Sequence, residues 1–339
     1  MDADVTRSVG GFLAAALVLA VLVAAVGVDD VASTLSLLDP REAVVLAAAG
    51  ACWLAAWGLC LYTVLSAIGV PVSRGTAVLL YAAAAFANNV TPFGQAGGEP
   101  FSAYLISRST GADYERGLAA IASVDALNFV PSLTFASLGL AYYAASYTVF
   151  EGLWYVVAVV AALVVGVPAA LYGAWRYRAR LRAAAVRTLT PVLAALDRVV
   201  PGVSPPDGDQ LRERVDDFFD ALGRVATSRR RLVAAGAFST AGWAVLCGTM
   251  WVTLYSLGYA APAAVAFVVV PVATIASATP LPGGTGAVEF AIVAVLVPAT
   301  AVTPGAAGAV ALVFRAATYW LPTALGGVAA VALEHRASP

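Results

Sequence analysis

Four ionisable residues lie in otherwise apolar sequence: Glu99, Asp125, Glu289 and Arg315. Such groups are costly inside a bilayer, so they usually face a protein interior or a watery cavity. A guanidinium presents a planar fork of donors that suits phosphate, which makes Arg315 the best candidate to hold an anionic group. The carboxyl groups could bind cationic headgroup atoms or carry protons. The chemistry available is therefore the binding of a charged solute or headgroup.

The spacing of these four residues indicates a duplication. Glu99 and Glu289 are 190 positions apart, and Asp125 and Arg315 have the same separation. Each glutamate ends a segment that contains Thr-Pro and then a Gly pair, at 88–99 and at 277–289. These motifs could recur by chance in Ala/Gly-rich helices, but the shared spacing of two charged positions favours a repeat.

The two segments break apolar sequence in the same way. Irregular backbone at membrane depth is tolerated only where protein buries it or where it lines a cavity. A pair of such breaks in corresponding halves is typical of a transport site between repeats. We place the repeats at 41–147 and 231–334, and Pro131 meets Pro322 after one extra residue.

Neutral polar residues and glycines near the breaks complete the predicted site. They could line it, or they could only satisfy backbone groups that a broken helix frees. Helix N-termini with adjacent Gly pairs could also bring backbone N–H groups close to a phosphate. The predicted substrate-binding residues are Asn89, Thr91, Gln95, Glu99, Asp125, Asn128, Thr279, Gly283, Gly284, Thr285, Glu289 and Arg315.

Simpler interpretations remain open for two of the charged positions. Pro100 suits the first turn of a helix, where an acid favours the helix dipole, so capping alone could explain Glu99. Asp125 and Arg315 each lie about nine or ten residues into a helix, near mid-depth at 1.5 Å per residue. They are candidates for one central ion pair, which could be structural or could be displaced by substrate.

The composition defines the class of protein that carries these residues. Of the 339 residues, 61% are hydrophobic and 12% are charged, whereas an ordinary soluble domain has about 25% charged residues. We predict an all-α polytopic membrane protein with a single membrane domain, six full spans and two broken regions whose half-helices are too short to cross a bilayer. The spans are 9–28, 43–68, 116–147, 152–175, 232–258 and 306–333, and the broken regions are 75–108 and 262–298.

Arginine placement predicts the orientation. The segment 176–231 carries 12 of the 19 basic residues, so it is expected to be cytoplasmic. Counting spans outward places both termini in the cytoplasm and gives the two repeats opposite directions, with re-entrant hairpins entering from opposite faces. Arginines and apolar residues in 176–231 further predict two amphipathic helices, the first of which lies on the inner leaflet.

Several classes of function are disfavoured by the sequence. There is no nucleotide-binding fingerprint, and Cys52, Cys60 and Cys247 lack metal-ligand spacing, so we expect them in the core. We expect no cofactor, no metal and no nucleic-acid partner. The sequence does not specify an oligomeric state.

The run from Asn88 to Tyr104, with Pro280 to Gly286 and Glu289, resembles the lysylphosphatidylglycerol synthase transmembrane-region family of flippase-like membrane proteins. The resemblance extends over about residues 10–333. It implies a domain that moves or handles lipids such as aminoacylated phosphatidylglycerol, and relatives are linked to polyprenyl-linked sugars and hopanoids. It also implies that the four charged residues belong to a central cavity. This chain lacks the family's soluble aminoacyl-transferase domain and any glycosyltransferase domain, so we expect it not to make lysyl-lipid and not to be an enzyme.

The leading hypothesis is a plasma-membrane flippase that carries a phospholipid or polyprenyl-phosphate-linked headgroup between the repeats. Its partner would be the membrane lipid itself. One alternative is an intramembrane enzyme, or enzyme subunit, that acts on lipid-linked sugars with Glu99 or Asp125 as acid or base. Another is an ion-coupled transporter of a small solute. A non-catalytic scaffold would give no reason for central charges.

Overall fold

The computed structural model describes residues 39–91, 95–146, 153–199, 207–300 and 302–337. In these ranges the chain forms helices joined by loops, with no strand, and the predicted all-α polytopic membrane fold is confirmed. A 3₁₀ turn, Pro282–Gly284, precedes α10, and a π-helix, Ala316–Trp320, joins α11 to α12. The α-helices are α1 (Pro40–Ala67), α2 (Arg74–Val90), α3 (Gln95–Thr110), α4 (Tyr114–Ser146), α5 (Leu153–Arg176), α6 (Arg178–Val199), α7 (Gly208–Thr227), α8 (Arg229–Ser256), α9 (Ala263–Ala276), α10 (Ala287–Ala299), α11 (Pro304–Arg315) and α12 (Leu321–Ala337).

Local sequence fixes several helix starts. The Asp39 side chain accepts a hydrogen bond from the backbone N–H of Arg41, and Pro40 occupies the first position of α1. Ser73 and Thr303 cap α2 and α11 by accepting hydrogen bonds from backbone N–H groups in the first turn. Side-chain caps of this kind satisfy donors that a helix start leaves without partners.

Six helical segments of the described chain are long and apolar enough to cross a membrane: 40–67, 114–146, 154–176, 229–256, 282–299 and 304–335. Four of the predicted full spans therefore appear within a few residues of their predicted bounds, and the span predicted at 306–333 appears as α11, the π-helix and α12. The segment 282–299 was predicted as part of a broken region. When the 3₁₀ turn and α10 are taken together, this segment is also long and apolar enough to cross a membrane. The span predicted at 9–28 lies outside the described residues.

Each broken region forms two short helices that pack on each other. The arms α2 and α3 have 17 and 16 residues, and the arms α9 and α10 have 14 and 13. At 1.5 Å per residue the longest arm is about 25 Å, shorter than the roughly 30 Å hydrocarbon core. A Cβ on Gly98 would collide with Asn88, so this glycine allows the first pair of arms to approach closely.

The helix contacts occur in matched sets. The opening helices α1 and α8 pack on each other, α2 packs on α12, and α9 packs on α4. Thus the first arm of each hairpin packs on the closing helix of the other half. Within each half the opening helix packs on the first arm, and the second arm packs on the closing helix. A two-fold relation between the halves would produce this arrangement.

The π-helix supports the alignment of the halves. It begins directly after Arg315 and ends two residues before Pro322. The sequence alignment required one extra residue between Arg315 and Pro322 compared with Asp125 and Pro131. A wide π turn accommodates one inserted residue inside a helix, and such turns are frequent at functional sites.

The polar segment between α5 and α8 forms the two predicted helices, α6 and α7. Arg182 on α6 pairs with Asp216 and Asp220 on α7 at 3.0 and 2.6 Å. Helix α7 packs against α4 and buries Leu211 and Val215, whereas α6 is largely exposed along its described side chains. The apolar face of α7 is therefore used inside the fold, and α6 is the more exposed of the two.

Candidate functional site

The end of α2 and the second chain break meet at a cavity of about 170 Å³, called here the central cavity. The end of α2, just before the first break, packs against the 3₁₀ turn of the second break. The wall of the cavity is formed by α1, α2, α8, α9, the second break, α10, α11 and the π-helix. Its polar and aromatic lining residues are Trp53, Trp57, Tyr81, Asn88, Asn89, Thr274, Ser277, Phe314, Arg315, Thr318 and Tyr319.

Arg315 is the buried cation of the central cavity, with a side chain that is 8% exposed. Its Nε donates to Glu289 Oε1 at 2.8 Å, and its Nη2 donates to the carbonyl oxygen of Gly283 at 2.9 Å. Its guanidinium carbon lies 3.8 Å from the centre of the Tyr319 ring. These contacts use two of the five N–H donors of the guanidinium and hold its plane against the aromatic ring.

Glu289 joins helix capping to the ion pair. Its Oε2 accepts a hydrogen bond from the backbone N–H of Gly286 at 2.7 Å, at the start of α10. Its Oε1 accepts from Arg315, so one carboxylate fixes both the helix start and the guanidinium. Gly283, Gly284 and Gly286 all have positive φ, which lets the chain turn sharply before α10.

The equivalent pair in the first half consists of two acids. The side chains of Glu99 and Asp125 lie close enough to interact with each other. Two carboxyl groups can form a hydrogen bond only if one of them carries a proton, because an ionised carboxylate has no donor. Asp125 also interacts electrostatically with Tyr81, which lines the central cavity. Under the predicted alignment, a carboxyl pair therefore stands where the second half has a carboxylate–guanidinium pair.

The prediction that Asp125 and Arg315 form an ion pair was wrong. Arg315 pairs with Glu289, which lies 26 residues before it, and Asp125 pairs with Glu99 at the same separation. The sequence alignment identified equivalent positions in the two halves. In this fold those positions contact residues of their own half, so equivalence did not imply contact.

The capping explanation of Glu99 was also wrong. Helix α3 begins at Gln95, so Glu99 is its fifth residue and Pro100 lies inside the helix. Glu99 is therefore beyond the N-terminal turn where a carboxylate would cap free backbone N–H groups. Its counterpart Glu289 does cap its helix, so the two glutamates differ in local geometry although their sequence motifs match.

Three predicted residues lie at the cavity or support it directly. The side-chain nitrogen Nδ2 of Asn89 donates to the hydroxyl of Thr323 at 2.8 Å. The backbone carbonyl oxygen of Asn89 accepts a hydrogen bond from the hydroxyl of Tyr319 at 3.3 Å. Gly283 lines the cavity and accepts from Arg315. Thr285 lies in the second break and donates to the carbonyl oxygen of Pro282 at 2.8 Å. These residues hold Tyr319 and the second break in place.

The other neutral residues have different surroundings. Asn128 accepts a hydrogen bond from Ser239 at 2.6 Å and so ties α4 to α8. Thr91 donates to the carbonyl oxygen of Ala87 at 2.7 Å, in the last turn of α2. Thr279 lies at the second break, and Gly284 packs beside Ser277. None of these four is among the described residues that line the cavity. The side chain of Gln95 lies outside the described part of the structure.

The aromatic wall of the central cavity was not predicted from the sequence. Trp53, Trp57 and Tyr81 pack edge to face, with ring centres 5.2 to 6.5 Å apart. Trp57 donates to the carbonyl oxygen of Ser239 at 3.2 Å. The available signal was two tryptophans four residues apart near the middle of a span, since membrane tryptophans concentrate at the interfaces.

These observations define a polytopic helical membrane protein with two broken helical hairpins and a polar, partly charged cavity where they meet. The model of the lysylphosphatidylglycerol synthase TM region family matches residues 8–326. The chain therefore belongs to that family, as its motifs suggested. It is a multi-pass membrane protein of a family related to lipid handling. A search of curated proteins finds no match.

Proposed function

We propose that this protein is a plasma-membrane lipid flippase or transporter. It moves a phospholipid or polyprenyl-phosphate-linked headgroup through the central cavity while the lipid tails stay in the bilayer. The observation that carries the proposal is the buried Arg315, which lines a cavity between the end of α2 and the second chain break and has N–H donors beyond those bound to Glu289 and Gly283. A guanidinium in this position suits a phosphate group.

The family and the packing support a transport role. Family membership relates the chain to lipid handling. Elements of both halves form the wall of the central cavity, and each first hairpin arm packs on the closing helix of the other half. Movement of one half against the other would alter the cavity wall, as in transporters built from inverted repeats. We propose that both hairpins are re-entrant, that they enter from opposite faces, and that both chain termini are cytoplasmic.

The direct test is lipid movement in proteoliposomes. Vesicles would contain acyl-chain-labelled lipids, and the rate at which label reaches the outer leaflet would be measured with a membrane-impermeant quencher. We expect acceleration for an anionic lipid with the native protein and about a tenfold or greater loss with Arg315→Met, the scale of losing a charge-assisted hydrogen bond. No acceleration for any anionic or glycosylated lipid would reject the proposal. A chemical change of the lipid during the assay would favour the intramembrane enzyme.

The inverted arrangement predicts opposite accessibility of two loop positions. Single cysteines at Thr110, which ends α3, and at Thr303, which precedes α11, should react with an impermeant thiol reagent from opposite sides of the membrane. Cys52 is exposed, so it should be replaced by alanine in the background protein, and that background without new cysteines is the control. Labelling of both positions from the same side would exclude the inverted repeat.

Replacing one acid of the Glu99–Asp125 pair should lower the transport rate and leave the stability of the protein nearly unchanged. Glu99→Gln keeps the shape and hydrogen bonding of the side chain but cannot exchange a proton with Asp125. If the pair couples a proton to lipid movement, transport should fall about tenfold, as expected for a coupling of roughly 1–3 kcal/mol. Thermal unfolding in detergent should change little. Glu115→Gln is the matched control, because Glu115 is also a partly buried acid of the first half but contacts Arg214 instead of Asp125. Unchanged transport in Glu99→Gln would exclude proton coupling through this pair.

A further inference from the structure

We propose that α6, together with the groove between α6 and α7, is a docking surface for the phosphate groups of anionic membrane lipids. This docking surface lies outside the central cavity and would exist whether or not the protein moves lipids. Three properties of the described residues support it: arginines without carboxylate partners, an exposed apolar stripe, and a position at the end of a membrane span.

The first property is the unpaired positive charge of α6. Arg182 is matched by Asp216 and Asp220 of α7. Four other arginines, from the end of α5 through α6, are exposed and form no ion pair with a described carboxylate: Arg176, Arg178, Arg180 and Arg187. A guanidinium binds phosphate through a planar fork of donors, and each arginine near an anionic surface adds to the attraction. The charge of α6 therefore complements an anionic lipid surface.

The groove between α6 and α7 provides a place for one phosphate group. It is a cavity of about 700 Å³ whose charged lining residues are Arg182, Arg187, Arg212 and Asp216. Asp216 contacts Arg182 at 3.0 Å, and Arg212 contacts Asp209 at 2.9 Å, so Arg187 is the lining arginine without a described carboxylate partner. Val186 also lines the groove. The groove thus combines an unpaired guanidinium with apolar surface, as suits the phosphate end of a lipid.

The second property is an exposed apolar stripe on α6. Leu181, Leu189 and Val192 are 40%, 40% and 59% exposed. At 3.6 residues per turn these positions fall within about 80° of one another, so they share one side of the helix. A helix that combines an apolar side with arginines is typical of the membrane interface, where the apolar side chains enter the lipid and the guanidinium groups stay among the headgroups.

The third property is the position of α6 in the fold. The candidate span 154–176 ends one residue before Tyr177, and α6 begins directly after Tyr177. Trp175 and Tyr177 are exposed, and aromatic residues at the end of a span are typical of the membrane interface. The guanidinium of Arg178 lies 5.1 Å from the centre of the Trp175 ring. Helix α7, to which Arg182 ties α6, packs against three spanning helices, α1, α4 and α8. These contacts hold α6 close to the bundle at the level of the headgroups.

The test measures which lipids surround α6 in the full-length protein. A fluorophore would be attached to Val192→Cys in a Cys52→Ala background, because Cys60 and Cys247 are buried. Nanodiscs would contain equal amounts of phosphatidylglycerol and phosphatidylcholine, with a nitroxide quencher on the acyl chain of one lipid or the other. We expect phosphatidylglycerol to quench at least about fivefold more effectively, the effect of one arginine near an anionic surface. Val165→Cys, on an exposed part of the spanning helix α5, is the control and should show no preference.

Two substitutions should change this lipid preference in opposite directions. Arg187→Gln removes the unpaired cation of the groove and should lower the preference about fivefold. Asp216→Asn removes the carboxylate from the groove wall and releases one contact of Arg182, so it should raise the preference. Arg224→Gln is the matched control, because it removes an exposed arginine of α7 outside the groove and should change little. High salt should weaken the preference, because it screens exposed charges.

The remaining arms separate a lipid from a soluble ligand. Inorganic phosphate should lower the preference no more than chloride does at the same ionic strength. A specific loss with phosphate would show that the groove takes a soluble anion, and this would overturn the lipid assignment. Equal quenching by both lipids would also overturn it, as would weak quenching by both, which would place α6 away from the membrane. None of these measurements requires lipid movement, so they stand apart from the proteoliposome test of the proposed function.

Discussion

Arg315→Met is expected to lower the free energy of unfolding by about 3 kcal/mol, at the lower end of the range for breaking a buried ion pair. Methionine retains much of the length and apolar character of the side chain but removes the donors to Glu289 and Gly283. The remaining carboxylate is 23% exposed, so water offsets part of the loss. The stacking contact with Tyr319 is lost as well. The measurement is thermal or denaturant unfolding in detergent.

A double-mutant cycle identifies the partner of Arg315. Once Glu289→Gln is present, Arg315→Met should cost substantially less, because the charge that it leaves unpaired has already been removed. Asp125→Asn combined with Arg315→Met should instead give nearly additive losses. Coupling of Arg315 to Asp125 rather than to Glu289 would contradict the geometry. Arg315→Lys should recover only part of the stability, because an ammonium lacks the planar fork that contacts Glu289, Gly283 and the Tyr319 ring together.

The sequence was sufficient to single out four charged residues within apolar segments and insufficient to pair them. Glu99, Asp125, Glu289 and Arg315 stand out because ionisable groups are rare in apolar spans. Which of them touch depends on how each hairpin packs against the closing helix of its own half. The one-residue offset before Pro322 was visible in the sequence, but its cause, a π-helix after Arg315, is a property of the backbone.

The spans could be predicted from the sequence, but the local geometry of the breaks could not. Helices such as α1 and α8 follow from long apolar runs, whose lengths the bilayer sets. The Gly pairs of the two breaks share a sequence motif but not a conformation. Gly98 lies within helix α3, whereas Gly283 has a φ of 56° in a 3₁₀ turn. The aromatic wall was missed because Trp53 and Tyr81 are compatible with an ordinary core until the adjacent cavity is seen.

The contact between the halves predicts the second large effect, a substitution of Gly326 on α12. This glycine faces α2, where an added Cβ would collide with the carbonyl oxygen of Ala82 and lie 2.8 Å from the Cβ of Phe86. Membrane helices associate through such small residues, which allow close backbone approach. We expect Gly326→Ala to cost about 2 kcal/mol and Gly326→Val more, within or above the usual range for overpacking. Unfolding in detergent would measure both.

The control is a glycine-to-alanine substitution at a position where the added Cβ meets no other atom. Gly166 on the exposed helix α5 has no atom within 4 Å of an added Cβ, so Gly166→Ala should be neutral or stabilise the helix by about 0.5–1 kcal/mol. The opposite signs separate helix propensity from packing between the halves. Gly326 also lies one turn after Thr323, which accepts the hydrogen bond from Asn89 at the cavity wall. Displacement of α12 from α2 should therefore weaken transport together with stability. Equal effects of the two alanine substitutions would show that the close approach of α2 and α12 does not hold the halves together.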